Sequence, residues 1–340
     1  MNPLSQVSRE VRKVIAKPVE AVSQLANQPI ARDNPISAVI GLASGKTLSD
    51  VLADKTVLIT GASSGIGEAA AIQVGAAGGN VVLVARSVDK LAETAKRIEA
   101  VGGTAHPQPC DLTDLNAIDA MAERVRDEFG GIDILVNNAG RSIRRSLELS
   151  YDRFHDYERT MQLNYFAPVR MILNFIPGMR ERERGQVINI SSVGVQTRVP
   201  RFGAYIASKA ALDTLCDSLQ AETKDQNVSF TTIFMPLVRT PMIAPTRIYD
   251  RFPALTPEQA GEVICRSIVN RPRRVSPTFG RAASFADAIT PQLMDNVRNR
   301  GFKMFGDSNA ARGSDGKPAS DETVSATGRA FAEVTRGVHW

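Results

Sequence analysis

The feature that most constrains the fold is an alternation that begins at Lys55. Short runs rich in β-branched residues (KTVLIT, NVVLVAR, IDILVNNAG, QVINISS and VSFTTIFMP) are separated by stretches with helical patterning over about 68–77, 88–100, 115–129, 154–179 and 205–224. Strands of that length divided by helices predict βαβ units, and therefore an α/β fold built on a parallel sheet with helices on both faces. A doubly wound sheet binds ligands beyond the carboxyl ends of its strands, so chemistry is to be sought in the segments that follow each run.

The first run leads into Thr60-Gly61-Ala62-Ser63-Ser64-Gly65-Ile66-Gly67 and then straight into a helix. Glycines there permit a tight turn and close approach of a pyrophosphate, while the helix start offers free N–H groups and the positive end of the dipole. The spacing is GxxxGxG rather than GxGxxG, and in isolation it fits a structural turn equally well. Its place on the first strand points to a dinucleotide, with Gly61, Ser63, Ser64, Gly65, Ile66 and Gly67 in contact. The second run ends in Ala85-Arg86, where NAD-binding chains usually place an acid for the ribose 2′-hydroxyl. A guanidinium at Arg86 suits a 2′-phosphate, so NADPH/NADP+ is expected; the bland alternative is a solvated surface arginine. Asp111 and Leu112 are expected to border the adenine, and Asn138, Ala139 and Gly140 to end the fourth strand against the cofactor.

Tyr205 and Lys209 lie four apart on an expected helix and so share a face. Hydride reduction of a carbonyl leaves an oxyanion that needs a proton, and an ammonium beside a tyrosine would lower its pKa and ease that transfer. Ser192 ends the run QVINISS thirteen residues earlier, within reach of a substrate oxygen, and Asn164 in the preceding helix is placed to anchor a relay water. Each signal is weak alone; their order carries the weight. TGASSGIG, NNAG, Asn164, ISS and YIASK together resemble the short-chain dehydrogenase/reductase family over about residues 53–280. The resemblance implies one Rossmann domain, with Tyr205 as acid/base, Lys209 binding the nicotinamide ribose, Ser192 orienting the carbonyl and Asn164 completing the relay. It also implies self-association as a homodimer or homotetramer. One departure is Pro236-Leu237, where most members have Pro-Gly; Val238 and Thr240 still suit positions beside the carboxamide and pyrophosphate.

NNAGRSIRRSLELSYDRFHDYERTMQLNY and MPLVRTPMIAPT are similar to the bacterial fatty acyl-CoA reductase branch and to reductases of long-chain or 3-oxo acyl groups. That resemblance implies a long-chain acyl thioester reduced to an aldehyde, with reduction of a 3-oxoacyl group as the alternative. Arg141, Arg144 and Arg145 follow the run IDILVNNAG and are candidates for the phosphates of CoA or a phosphopantetheine carrier; a solvated helix start balanced by Glu148 and Asp152 is the other reading. Met242, Ile243, Ile248, Tyr249 and Phe252 supply an apolar lid, ordinary core or a dimer seam.

The net charge of +5 favours anions, but Lys and Arg are scattered and no nucleic-acid recognition motif appears. A non-catalytic NADP sensor would explain the glycine loop but not the company of Ser192, Tyr205 and Lys209. Cys110, Cys216 and Cys265 are too dispersed for a CxxC metal site, so no metal is expected, and their odd number argues against a disulfide framework and for a reducing cytosol. No apolar run reaches the roughly 18 residues of a membrane span. Residues 1–52 are expected to be a partly helical extension, with Val7, Val11, Val14 and Ile15 on one face packing on the domain or meeting a membrane surface or partner. An amphipathic segment over 281–305 and a disordered tail over 306–340 are expected to close the chain.

Overall fold

The computed structural model describes residues 45–243, 252, 254–307 and 309–312. The helix expected around Val7 to Ile15, the positions Ile248 and Tyr249, and most of the expected tail lie outside them. Among the described residues a short helix α1 (Leu48–Leu52) comes first, opened by a reciprocal Thr47–Asp50 capping box and ending in the buried Leu52. Then follow β1 (Thr56–Thr60), α2 (Gly65–Ala76), β2 (Asn80–Ala85), α3 (Val88–Glu99), β3 (Thr104–Pro109), α4 (Leu115–Phe129) and β4 (Ile134–Asn137). The second half runs α5 (Phe154–Met161), a π turn (Gln162–Phe166), α6 (Ala167–Glu181), β5 (Gly185–Ser192), α7 (Val193–Thr197), α8 (Gly203–Thr223), β6 (Val228–Met235), α9 (Pro257–Asn270) and β7 (Arg274–Val275).

The strands form one parallel sheet in the order β3-β2-β1-β4-β5-β6-β7. The chain works outward from β1 to β3 and then returns to the other side of β1, so order reverses between β1 and β4. A crevice opens at such a reversal, beyond the strand ends. The glycine loop leaves β1 there and the NNAG segment leaves β4.

Strand side chains alternate between two cores. Val57, Ile59 and Leu83 meet Val74, Leu91, Ile98, Ile264 and Ile268 on one face. Leu58, Val82, Val84 and Phe230 meet Ile118, Met121, Val125, Met171, Phe175 and Leu212 on the other. Burial on both faces explains why these strands read as nearly continuous apolar runs.

Three segments differ from expectation. The helix expected over 154–179 is interrupted by the π turn, in which Ala167 N donates to Gln162 O. Pro168 supplies the reason: it has no N–H for the carbonyl of Asn164, and its ring crowds that carbonyl. The amphipathic segment is two helices, α10 (Thr278–Ile289) and α11 (Pro291–Met304), and Phe285, Ile289, Leu293 and Val297 are exposed rather than packed inward. Residues 305–312 do not begin a free tail. Arg201 donates to Phe302 O at 3.0 Å and to Asp307 Oδ1 at 3.2 Å, and its guanidinium lies over the Phe302 ring. Asp307 also accepts Ser146 N at 3.1 Å, and a final turn α12 (Asn309–Arg312) buries Ala311. No helix among the described residues is long and apolar enough to cross a membrane.

Phe230 is among the largest side chains with essentially no exposure. Its replacement by Ala is expected to lower unfolding free energy by about 3–5 kcal/mol, measured by denaturant titration, because a ring-sized cavity opens between β6 and the helices covering it.

Candidate active site

The turn after β1 is shaped by glycine at two points. Gly65 has a φ of +60°, and a Cβ on Gly67 would run into the Gly61 carbonyl and the Asn138 amide. Ser64 caps α2 without a side-chain hydrogen bond, so the helix's first N–H groups are not consumed by its own cap. Asn138 holds the turn from across the crevice, its N donating to Thr60 Oγ1 at 2.9 Å and its Nδ2 to Thr60 O at 2.9 Å. Ala139 N donates to the same hydroxyl at 3.0 Å. Asn138 thus shapes the cradle with its side chain. Thr240 closes the cradle from the loop after β6, its methyl 3.0 Å from where a Gly65 Cβ would stand. A pyrophosphate fits this arrangement of glycines, open helix N–H groups and close-packed threonine.

The loop after β6 reaches that place without glycine. Leu237 is not among the positive-φ residues, and the segment is fixed to Leu255: Leu255 N donates to Leu237 O at 2.8 Å, and Arg239 N to Leu255 O at 2.9 Å. Val238 is buried as Leu255's bridge partner, and Pro236 is half-buried. The Pro-Leu departure therefore leaves the loop beside the cradle.

At the end of β2, Arg86 is exposed. Asp111 stands near Arg86 and Arg141, its carboxyl held below the ordinary aspartate value first by the Thr113 N–H it accepts at 2.9 Å. Leu112 is buried beside it. Arg141 is half-buried; burial lowers its pKa, and Arg159 and Arg86 push the same way. Guanidinium groups thus outnumber carboxylates along this rim, an arrangement suited to a phosphate.

Ser192, Tyr205 and Lys209 converge where β5 ends against α8. Ser192 Oγ accepts Gly194 N at 3.1 Å as the cap of α7, which leaves its own proton to donate. Lys209 is buried and donates from Nζ to Ile190 O at 2.8 Å. Burial brings its pKa down to about 8, opposed by Asp213. Tyr205 corrects an expectation: its phenol is held above the ordinary tyrosine value, by desolvation first, with the Ser192 hydroxyl pulling it down and Asp213 pushing it up. The Lys209 ammonium meanwhile bonds the strand carbonyl of Ile190.

Asn164 is fully buried, and its amide is saturated. Oδ1 accepts Arg141 N at 2.8 Å, and Nδ2 donates to Arg141 O at 2.8 Å and to Ser208 Oγ at 3.0 Å. The side chain therefore locks the loop after β4 to α8 and has no donor left for a water. Its backbone carbonyl lacks the ordinary i+4 donor, because that position is Pro168. Asn164 and Lys209 face each other across Gly140, where a Cβ would lie 3.2 Å from Asn164 Oδ1 and 3.3 Å from Lys209 Nζ.

Two expected substrate residues are spent elsewhere. Arg144 donates to Gly306 O at 2.6 Å, and Arg145 pairs with Asp156 at 2.9 Å and donates to Ala311 O. Both hold the chain beyond α11, at Gly306 and Ala311, which gives these two guanidiniums a structural role; the residues they grip lay in the expected tail. Met242 is exposed in the turn after Thr240, and Phe252 meets Phe305 edge to face. Asp213, one turn beyond Lys209, was missed; its helical spacing from Lys209 was the available signal.

With this geometry in view, comparison with known proteins is informative. The family described as short chain dehydrogenase matches residues 55–249. The chain belongs to the short-chain dehydrogenase family. It is a member of an oxidoreductase family whose fold binds a nicotinamide cofactor. An uncharacterized oxidoreductase of Mycobacterium tuberculosis is 57% identical over 338 residues, covering 97% of this chain and 99% of the relative. A protein of Acinetobacter baylyi named fatty acyl-CoA reductase is 50% identical over 286 residues, covering 84% and 95%. A metagenomic short-chain oxidoreductase solved in complex with NADP is 30% identical with a TM-score of 0.56, covering 66% of this chain and 99% of that one.

Pro168→Ala is expected to restore an N–H to the Asn164 carbonyl and close the π turn to a regular α-helix. A crystal structure of the variant checks this, as does a rise in thermal stability from the recovered hydrogen bond.

Proposed function

We propose that this short-chain dehydrogenase uses NADPH to reduce a long-chain fatty acyl-CoA to the aldehyde and free CoA. The observation that carries the substrate is the 50% identity to the Acinetobacter baylyi fatty acyl-CoA reductase across 95% of that protein's length. Choice of NADPH rests on Arg86 in place of an acid after β2, with Arg141 reinforcing the positive rim. When bound, the cofactor supplies a hydride to the thioester carbonyl carbon. Ser192 donates a hydrogen bond to the carbonyl oxygen and holds it for attack; Tyr205 then delivers a proton to that oxygen. The resulting hemithioacetal collapses as its hydroxyl returns a proton to Tyr205, the C–S bond breaks and the thiolate leaves to be protonated. Lys209 holds the nicotinamide ribose and supplies positive charge beside Tyr205, and a water on the Asn164 carbonyl connects Lys209 to solvent.

The cysteines support direct attack on the thioester over an acyl-enzyme route. Cys110, Cys216 and Cys265 are buried, and desolvation pushes their thiols up to about 11, 12 and 12. Thiols so protonated are poor nucleophiles.

Assembly is proposed through α6 and α8. Phe166 at the end of the π turn and Leu173 on α6 are exposed, beside an open groove lined by Tyr165, Ala207, Ala210, Ala211, Thr214, Leu215 and Ser218. The alanines, Thr214 and Ser218 let a second copy of the chain approach closely. Leu173→Asp is expected to shift the protein toward monomer in light scattering.

The deciding experiment is NADPH oxidation with palmitoyl-CoA and with a 3-oxoacyl thioester, products identified by mass spectrometry. Aldehyde and CoA, lost in Tyr205→Phe while NADPH still binds, support the proposal; a 3-hydroxyacyl product alone overturns the substrate in favour of a ketoreductase. Arg86→Ala is expected to raise KM for NADPH roughly 10- to 100-fold through loss of a charged hydrogen bond, with little change for NADH.

A further inference from the structure

Helix α8 grips the end of β5 through polar contacts at two successive strand residues. Lys209 Nζ takes Ile190 O at 2.8 Å, and one turn on, Asp213 Oδ2 accepts Ser191 Oγ at 2.8 Å. The next strand residue is Ser192. Asp213 is only 9% exposed, and its Oδ1 is shielded from solvent without a hydrogen-bond partner. Holding a carboxylate in such a place is costly unless an opposite charge compensates. Lys209, four residues back on the same helix face, is that charge.

We propose that Asp213 is a positioning residue for the reaction: through Ser191 it fixes the end of β5 that carries Ser192, and its negative charge keeps Lys209 protonated beside Tyr205. This rests on the catalytic reading of Tyr205, Ser192 and Lys209 given above. The charges that face Asp213 are Lys209 and Asp217 on α8 and Arg274 from β7; β5 presents only the neutral Ser191. Asp217 is itself bonded by Arg273 and by Arg274, the latter at 2.6 Å, which mutes its repulsion. Burial pushes Asp213 up to about 6, while the Ser191 hydrogen bond, Lys209 and Arg274 hold it down and Asp217 adds to the rise. At neutral pH the carboxylate is therefore the major form.

The sign of the effect follows. Burial lowers Lys209 and Asp213 raises it; burial raises Tyr205 and Asp213 raises it further. Deleting the carboxylate charge therefore moves both groups down. Carbonyl reduction that needs a protonated Tyr205 and a charged Lys209 then fails at a lower pH on the alkaline side.

The test uses Asp213→Asn, Ser191→Ala and Tyr205→Phe, each checked for folding by thermal melts. Two profiles are measured: kcat/KM against pH for whichever thioester is reduced, and the ultraviolet titration of the Tyr205 phenolate, isolated by subtracting Tyr205→Phe. The expected result for Asp213→Asn is an alkaline limb and a phenolate titration both moved to lower pH by about half a unit or more, as for loss of a nearby charge. Ser191→Ala, which keeps the charge, is expected to lower kcat and leave both midpoints in place. An Asp213→Asn profile of wild-type shape, whether or not its amplitude falls, overturns the proposal. Should Asp213→Asn not fold, Asp213→Glu decides: wild-type midpoints support it and shifted ones overturn it. Activity surviving in Tyr205→Phe sinks the catalytic reading instead, and inactivity there with unshifted Asp213→Asn midpoints sinks this inference alone.

Discussion

A single buried amide joins the three segments on which the site depends. Asn164 spends its oxygen and both amide hydrogens on Arg141 and Ser208, tying the loop after β4 to the π turn and to the helix that carries Tyr205 and Lys209. Ser208 passes the tie on, its hydroxyl donating to Tyr205 O at 2.7 Å. A polar side chain with no exposure must be satisfied fully or it destabilises the fold, so the geometry admits little slack.

Electrostatics at the centre are set by burial more than by contact. Desolvation is the first cause of the shifts at Tyr205, Lys209 and Asp213. A tyrosine raised by burial is a reluctant phenolate and a secure donor until a charge is placed against it. Lys209 is bound to a strand carbonyl and opposed by a carboxylate one turn away, which leaves it charged but near the pH at which it releases a proton.

Much of this was legible in the sequence because the fold repeats one pattern. The β-branched runs, the glycines at 61, 65 and 67, and the YIASK segment each state a local requirement that the sheet then meets. The start of α9 is local in the same way: Thr256 forms a capping box with Gln259, and Pro257 takes the first helical position. Other features were hidden for identifiable reasons. Pro168, in the middle of the helical pattern over 154–179, signalled a break, but a proline alone does not say whether a kink or a π turn absorbs it. Arg144 and Arg145 looked like anion ligands because sequence reports charge without partner, and their partners are carbonyls more than 160 positions away. Asp213 reads as one more polar residue on a helix until the strand beside it is known.

The clamp on residues 302–312 has a temporal side. Its bonds span 161 to 166 positions between the β4 loop and the far end of the described chain, and Arg201 adds ties across 101 and 106. Contacts this distant in sequence come late, since the strands between must be placed first. During synthesis the sheet can assemble while that loop still lacks its restraint. The restraint on that loop thus arrives from the ribosome only after the seven described strands.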